Sequence, residues 1–492
     1  MKADRIFLLF LLISLMISQT ACERNGGGEP DKPEIKSSYY ISPTPPKGKV
    51  VLIYPNTRTF SYLGHGYDAT EDYLNDASVR SSIIDLNKVP QDAIHILSIP
   101  NSGRRSFSGK NMDEFLQSIN AEKVFEVPES NSEDFLFTGT ILRSEIVKEP
   151  YDYSTQYTFV GDEFLVAHQR ESLLLPMGNY MSRYFSDRFK EDLQELKPQE
   201  LIETYGTHLL MEVYVGHRIR TLYRAVVTSP ESERVHTVGE GLLARQSEIY
   251  KLAGVNITAS EKESSRNYGG AIVVEFYGGD YAKLPYPELL PNELVNGPMD
   301  ITAWRQSVNK DNYTLVGVSE IGLKPIPIYN LIEDPAKQIE VKKAVIQYIK
   351  SKQIQQMDTA PIIQAYNGKC HRYFTSYTDF EVLLDKTYTS CGVIGSVFKR
   401  QYPETVPLYL FSNGVNDRLS LSEYSDVPKG YTLKGTFGFV YKDYAPDLQT
   451  IYEITDGTHF AYTTERKDIY GSEEGQRWTP TGKEFYTKKI SL

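Results

Sequence analysis

Hydrophobic and polar positions divide the chain into successive regimes. Ile6 to Ile17 form an apolar run broken only by Ser14, with Lys2 and Arg5 before it and Ser18, Gln19, Thr20, Ala21 and Cys22 after it. That run is too short to span a bilayer and reads as a secretory signal over residues 1–21. From Glu23 to Lys49 apolar residues thin out in favour of Gly26, Gly27, Gly28, Pro30, Pro33, Pro43, Pro45 and Pro46, the composition of a disordered tether over residues 22–49. From Val50 short strands and amphipathic helices are predicted. Val50 to Tyr54 is a buried-strand run, and Phe189, Leu193 and Leu196 at i, i+4 and i+7 mark a helix that Pro198 ends. Leu209 to Thr228 is strand-rich. Asp334 and Pro335 are an N-cap and first-turn pair opening a helix with Val341, Val345 and Tyr348 on one face, which closes a first domain over residues 50–355.

The remaining residues, 360–492, repeat. Gly392 to Phe398, Gly435 to Tyr441 and Thr479 to Phe485 align at offsets of 43 and 44, and Asn367-Gly368, Asn413-Gly414 and Asp456-Gly457 align at 46 and 43. The dipeptides are hairpin-turn signals between strand-like runs. Three such units resemble a β-trefoil, with another threefold β arrangement as the alternative. Tyr366, Tyr373, Tyr409, Tyr452 and Tyr462 fall here and serve either sugar stacking or sheet packing.

Composition narrows the partners. With 492 residues, two or three domains are expected, and Lys+Arg 53 against Asp+Glu 64 gives a net charge of -11, which argues against a nucleic-acid partner. The excess of 36 Tyr suits β-rich, interface-forming surfaces. Of the 3 cysteines, Cys22 after the small Ala21 resembles the acylated cysteine of bacterial lipoprotein signals, although Gln19 stands where that motif usually has Leu. A conventional cleavage near Ala21 is the alternative. The lipoprotein reading places the protein at the outer membrane or cell surface, anchored or released. Cys370 and Cys391 share the first repeat, and an oxidising compartment permits a bridge between them.

Catalytic signals are absent: no His-Glu-x-x-His spacing and no Gly-x-Ser-x-Gly occur, and Gly64-His65-Gly66 lacks the Lys-Ser/Thr of a phosphate loop. No enzyme, metal or cofactor is expected. His208 is better read as a turn-holding histidine than as a base. Tyr205-Gly206-Thr207-His208, followed by Gly216, resembles the signature of the membrane attack complex/perforin (MACPF) family, an aromatic-Gly-Thr-His element ending in paired glycines. Leu209 replaces the usual aromatic and His217 the second glycine. Leu63 to Asp68 with Tyr73, Leu74 and Asn75, the pair Gly278-Gly279, and Trp304 match further family features in order.

The resemblance implies an α+β fold like that of MACPF proteins and cholesterol-dependent cytolysins. A bent four-stranded antiparallel sheet would carry two helical clusters, each able to unfurl into a hairpin of a transmembrane barrel, ahead of the all-β threefold domain. Chain order puts the clusters near Pro128 to Gln156 and Glu233 to Tyr268, both long enough for a spanning hairpin. In the second, Val255, Ile257 and Ala259 alternate with polar residues. In the first, Phe135, Phe137 and Ile141 share a face, but Leu136 and Leu142 lie opposite and Arg143 and Glu145 share that face's parity. Leu242, Ile249 and Ala253 equally suit a helix packed on the sheet. Gly216, Gly278 and Gly279 are sheet hinges or static bulges. The expected function is an antibacterial pore-forming toxin that binds a surface protein or glycan on a target membrane and forms homo-oligomers there. A non-lytic adhesin or glycan-binding lipoprotein is the alternative.

Overall fold

The computed structural model describes residues 49–53, 61–120, 124–125, 127, 134–144, 154–176, 178–227, 229–251, 258–284, 298–319, 322–376, 379–380, 387–425, 427–464 and 478–488. In chain order the body comprises β1 (Lys49–Ile53), β2 (His65–Tyr67), β3 (Val79–Ser82), β4 (Ile94–Gly109), α1 (Met112–Asn120), α2 (Gly139–Arg143), β5 (Tyr157–Leu173), α3 (Asp187–Glu195), α4 (Pro198–Tyr205), β6 (His208–Leu209), β7 (Glu212–Val227), α5 (Arg234–Ile249), β8 (Tyr250–Lys251), α6 (Glu261–Ser264), β9 (Asn267–Tyr277), β10 (Met299–Asp300), α7 (Thr302–Gln306), β11 (Thr314–Val318), β12 (Ile326–Pro327) and α8 (Pro335–Ser351). The central sheet runs β1-β9-β7-β5-β4, with β11 also on β7. Its four long strands, β4, β5, β7 and β9, are mutually antiparallel, and β1 lies parallel to β9.

A line of irregularity crosses this sheet. The β4–β5 register shifts between Ser98 and Asn101, the β5–β7 register between Ala167 and Gln169, and β11 is bulged between Leu315 and Gly317. Along the same line β7 changes partner: Arg218 pairs with Tyr277 of β9, whereas Gly216 pairs with Thr314 of β11. The extra residues are His168 on β5 and Val316 on β11, and bulges of this kind bend their strands. Across the same line the β7 residues that face the larger core change from Val213 and Val215 to Leu222 and Val226.

Both faces of the sheet are covered. The larger core joins Phe107, Phe159, Leu222 and Val273 of the sheet to Phe115 and Leu116 of α1, Ile141 of α2, and the segment around Tyr67 and Tyr73. On the opposite face Val160, Ile219, Tyr223 and Ile272 meet Val238, Leu242 and Ile249 of α5 and Trp304 of α7. A second small sheet, β12-β6-β2-β3, sits beside α4 and α8. The helix-start signal at residue 334 acts as its chemistry predicts: the Asp334 side chain accepts from Ala336 N at 3.0 Å, and Val341 and Val345 are fully buried on α8.

From Thr359 the chain forms three equivalent units: β13 (Thr359–Tyr366), β14 (His371–Phe374) and β15 (Thr389–Phe398); β16 (Thr405–Ser412), β17 (Asp417–Ser420) and β18 (Thr432–Tyr441); β19 (Leu448–Thr455), β20 (Phe460–Thr463) and β21 (Thr479–Lys488). In each, the first strand pairs antiparallel with the other two. Gly368, Gly414 and Gly457 take φ of 89°, 93° and 90° at the equivalent hairpins, as the turn dipeptides require. The three units meet around Ile362, Leu408 and Ile451. The repeat is thus real but the trefoil expectation needs correction. The middle unit, described except for one loop residue, has three strands where a trefoil unit has four, and the three units form a prism whose sides are joined at single bridges, Phe398 to Phe439 and Tyr441 to Tyr486, into one nine-stranded sheet.

Candidate hinge and converting segments

The Tyr-Gly-Thr-His element closes the small sheet onto the segment that begins at Leu63. Thr207 N donates to Tyr67 O at 2.8 Å, its Oγ1 accepts from Ala69 N at 3.0 Å, and Gly64 N donates to Leu210 O at 3.0 Å. Gly206 has φ 74°, and a Cβ there would lie 2.5 Å from the carbonyl carbon of Tyr67, so only glycine fits. His208 is fully buried, edge-on to Phe125, with Nδ1 2.8 Å from Thr207 Oγ1. Two motifs read separately from the sequence are therefore one structural unit, and His208 holds the turn. The closing helix joins it: Tyr348 Oη donates to Asp68 Oδ2 at 2.7 Å.

Gly216, Gly278 and Gly279 come together where β7 changes partner. A Cβ on Gly216 would lie 1.9 Å from Val166 O. Gly278 and Gly279 have φ of 78° and 73°, and Trp304 Nε1 donates to Gly278 O at 2.9 Å. His217, standing where the family has a second glycine, is buried against Trp304 and lies 3.1 Å, Nδ1 to Nε2, from the bulged His168, which stacks on Tyr313. Burial first, then the neighbouring His168 and Arg305, push the His217 pKa down to about 3.

Sequence reasoning missed the ionic layer between sheet and N-terminal segment. Arg218, Arg220 and Arg224 alternate on the face of β7 toward the larger core and are nearly fully buried. Arg218 donates to Glu163 Oε1 at 3.0 Å and Leu74 O at 2.7 Å. Arg220 donates to Glu275, to Asp72 Oδ2 at 2.5 Å, to Tyr73 O at 3.1 Å and to Tyr277 Oη at 2.9 Å. Burial pushes both carboxyls upward. For Asp72 the two guanidiniums outweigh it and the pKa falls, whereas Glu275 stays above its ordinary value. Three arginines at a period of two or four inside an otherwise apolar strand were the available signal, since charges so placed need buried partners.

The first cluster begins earlier than Pro128: α1, directly after β4, packs Met112, Phe115, Leu116 and Ile119 into the larger core. Of its expected inserting residues, Phe137 and Ile141 are buried, Phe137 at φ 57° and edge-on to Tyr73 and Phe125, and Phe135 is partly buried. The shared face fails as a strand pattern because residues 139–143 are helical. In the second cluster α5 and α6 lie inside the expected range; Ala259 is half-buried, while Val255 and Ile257 lie outside the described residues, as does Cys22. Cys370 and Cys391 are buried but not bridged to each other. Cys370 sits in the turn between β13 and β14, and Cys391 on β15, the other neighbour of β13. No described helix is long and apolar enough to cross a membrane.

No family model matches the sequence, and neither does any curated protein. Among solved structures the chain is similar to a MAC/perforin-domain protein from Bacteroides thetaiotaomicron (TM-score 0.47, 15% identity, 65% of this chain and 66% of that one). It is also similar to GNIP1Aa from Chromobacterium piscinae (0.46, 16%, 84% and 92%) and to astrotactin-2, a vertebrate-specific perforin-like membrane protein (0.26, 12%, 60% and 100%). The chain thus spans just under two thirds of the first of these. The central sheet itself has four long strands in the order β9-β7-β5-β4, each antiparallel to its neighbour, with helical segments in every gap between them along the chain.

Proposed function

We infer that this is a pore-forming protein of the perforin type. Anchored or released through an acylated Cys22, it recognises a target bacterial surface through the threefold domain, assembles with copies of itself and inserts hairpins into the target membrane. One observation carries the reading. Each helical segment interrupts a pair of strands already laddered antiparallel up to its edge, Gly109 opposite Phe159 and Val227 opposite Asn267. Straightening residues 110–156 and 228–266 prolongs existing ladders without changing topology. Each exceeds the roughly 20 to 25 residues that two spanning strands and a turn need, and a ring of copies closes the barrel edges. The line through Gly216, Gly278 and Gly279 is where the sheet would flex.

A non-lytic adhesin is the second reading, favoured by how firmly the first segment is held. Phe137 N and Gly139 N donate to Ala69 O and Thr70 O at 2.7 and 3.0 Å, and Tyr73 N donates to Thr140 Oγ1 at 2.9 Å. The two readings separate when purified protein is applied to related Gram-negative strains. Killing with ring-shaped oligomers on their membranes supports the pore, whereas binding without permeability change or rings supports the adhesin and sinks the pore.

A further inference from the structure

Where the prism meets the body, a cavity of about 360 Å³ opens between the start of α5 and strands β13 and β15. Its lining is mixed, with Val227, Ile363, Val397 and Phe437 among polar residues on both sides: Thr155, Glu231 and Arg234 from the body, Thr359, Ser376 and Lys399 from the prism. Arg234 spends one donor on Gln156 O, yet its Nε is buried without a partner, and no described carboxylate lies within ion-pair distance of it. Glu231, the acid in the lining, is instead 3.7 Å from Lys110 and largely exposed. Across the cavity Thr359, 1% exposed, carries a hydroxyl that is also without a partner.

A guanidinium N–H buried without an acceptor carries a desolvation penalty that the more distant Glu231 and Glu114 offset only in part, and orphaned buried hydroxyls are uncommon in native proteins. Burial lowers the Arg234 pKa, and it outweighs the opposing pull of Glu231 and Glu114. The same residue opens α5, a helix of 16 residues with no side-chain cap, whose first backbone N–H groups favour negative charge. Lys399 adds a second cation from the prism wall, shared with Asp358 at 3.3 Å.

We propose that this seam is a binding site for a small tetrahedral oxyanion, the phosphate or sulfate group of a soluble ester such as a sugar phosphate, held by Arg234, Thr359 and Lys399. The bound group ties the prism to the first turn of α5. Its effect on conversion rests on the pore reading, because α5 must leave its place for the second hairpin to form; its binding does not.

Calorimetry on the full chain tests the site directly, with inorganic phosphate, sulfate, glucose 1-phosphate and chloride as titrants, and phosphatidylcholine vesicles with and without phosphatidic acid in parallel. Saturable binding of the oxyanions but not chloride is expected, weakened about tenfold or more in Arg234→Met and several-fold in Thr359→Val and Lys399→Met, with melting temperature rising alongside occupancy. Should Arg234→Met misfold, the Thr359 and Lys399 variants decide the matter. No saturable heat, equal binding of chloride, or unchanged affinity in those variants overturns the site. Binding confined to phosphatidic acid vesicles overturns the soluble-ester assignment. Slower vesicle leakage in phosphate is the expected consequence for conversion; binding without that slowing leaves the site standing and removes its control of α5.

Discussion

If the segment between β7 and β9 must become a hairpin, tying α5 to the sheet stops permeabilisation. Gly241 on α5 faces Asn267, the first residue of β9: a Cβ at 241 would lie 2.6 Å from Asn267 Cγ, which places the two Cβ atoms no more than about 4 Å apart, within disulfide range. The variant Gly241→Cys/Asn267→Cys should therefore oxidise readily. The bridge closes a loop of roughly 25 residues, worth about 3.5 kcal/mol to the folded form in the chain-entropy model. Without it, α5 is held by burial of Val238, Leu242 and Ile249, about 5–9 kcal/mol at 1.5–3 kcal/mol per side chain. Membrane binding and assembly can supply that much, but they cannot break the bridge. Residues 241 and 267 would not stand opposite each other in a hairpin that prolongs the Val227–Asn267 pair. Dye release from vesicles or killing of target cells should thus fall to background in the oxidised variant and recover on adding dithiothreitol. Leakage at the wild-type rate with the bridge shown intact by mass spectrometry would refute conversion of this segment.

Four single sites give further expected outcomes. Arg220→Met removes the direct partner of Asp72 and Glu275, leaving only the more distant Arg218, and should cost about 3–5 kcal/mol in urea unfolding, whereas a cost below about 1 kcal/mol would mean that the ionic layer is dispensable. Gly216→Ala should destabilise by about 3 kcal/mol because its Cβ meets the backbone at Val166 O; a neutral result would show that the crease yields easily. Gly239→Ala, on α5 with nothing within 4 Å of the added atom, should stabilise by about 0.5–1 kcal/mol and slow leakage, and faster leakage would contradict it. The His217 pKa lies below its unfolded value near 6.5, so its contribution is complete above that pH and shrinks on acidification. Between pH 7 and 5 the native protein should lose about 2 kcal/mol more than His217→Asn, and parallel pH profiles would exclude the histidine as the cause.

The features legible in the sequence obey local rules. The turn dipeptides of the prism, the Asp334-Pro335 helix start and the Gly206 turn each depend on residues within a few positions, and each is found where expected. Non-local relations were hidden. Nothing along the chain shows that Thr207 bonds Tyr67 and Ala69, or that Gly278 lies against Gly216. The trefoil failed for a related reason: a repeat fixes the number of units, while strand count per unit depends on whether the loop at 421–431 pairs with anything, and its described residues form no strand. The arginines of β7 were legible as an anomaly but not as a network, since Glu163, Glu275 and Asp72 reach them from three distant segments.

The two converting segments are held by different physics, and this orders their release. The second lies on one face of the sheet through apolar side chains and separate side-chain polar contacts, Asn267 to Thr237 O at 2.9 Å, Tyr250 to Thr221 at 3.1 Å and Gln246 to Asp162 at 3.4 Å, so its attachment is lost piecemeal as the helix lifts. The first is bonded through its backbone at Phe137 and Gly139 to residues 69 and 70, the same stretch clamped by Thr207 and, through Asp72, by Arg220. Its release therefore requires the buried ionic layer to yield as well, and a buried charge pair broken on one side costs about 3–5 kcal/mol. The second segment should leave first, the first only after partners or membrane have loosened the layer beneath it. Fluorescence probes at Lys251 and Leu142, both exposed, would then report membrane entry in that order. Simultaneous or reversed entry would mean that the arginine layer opens before any hairpin forms.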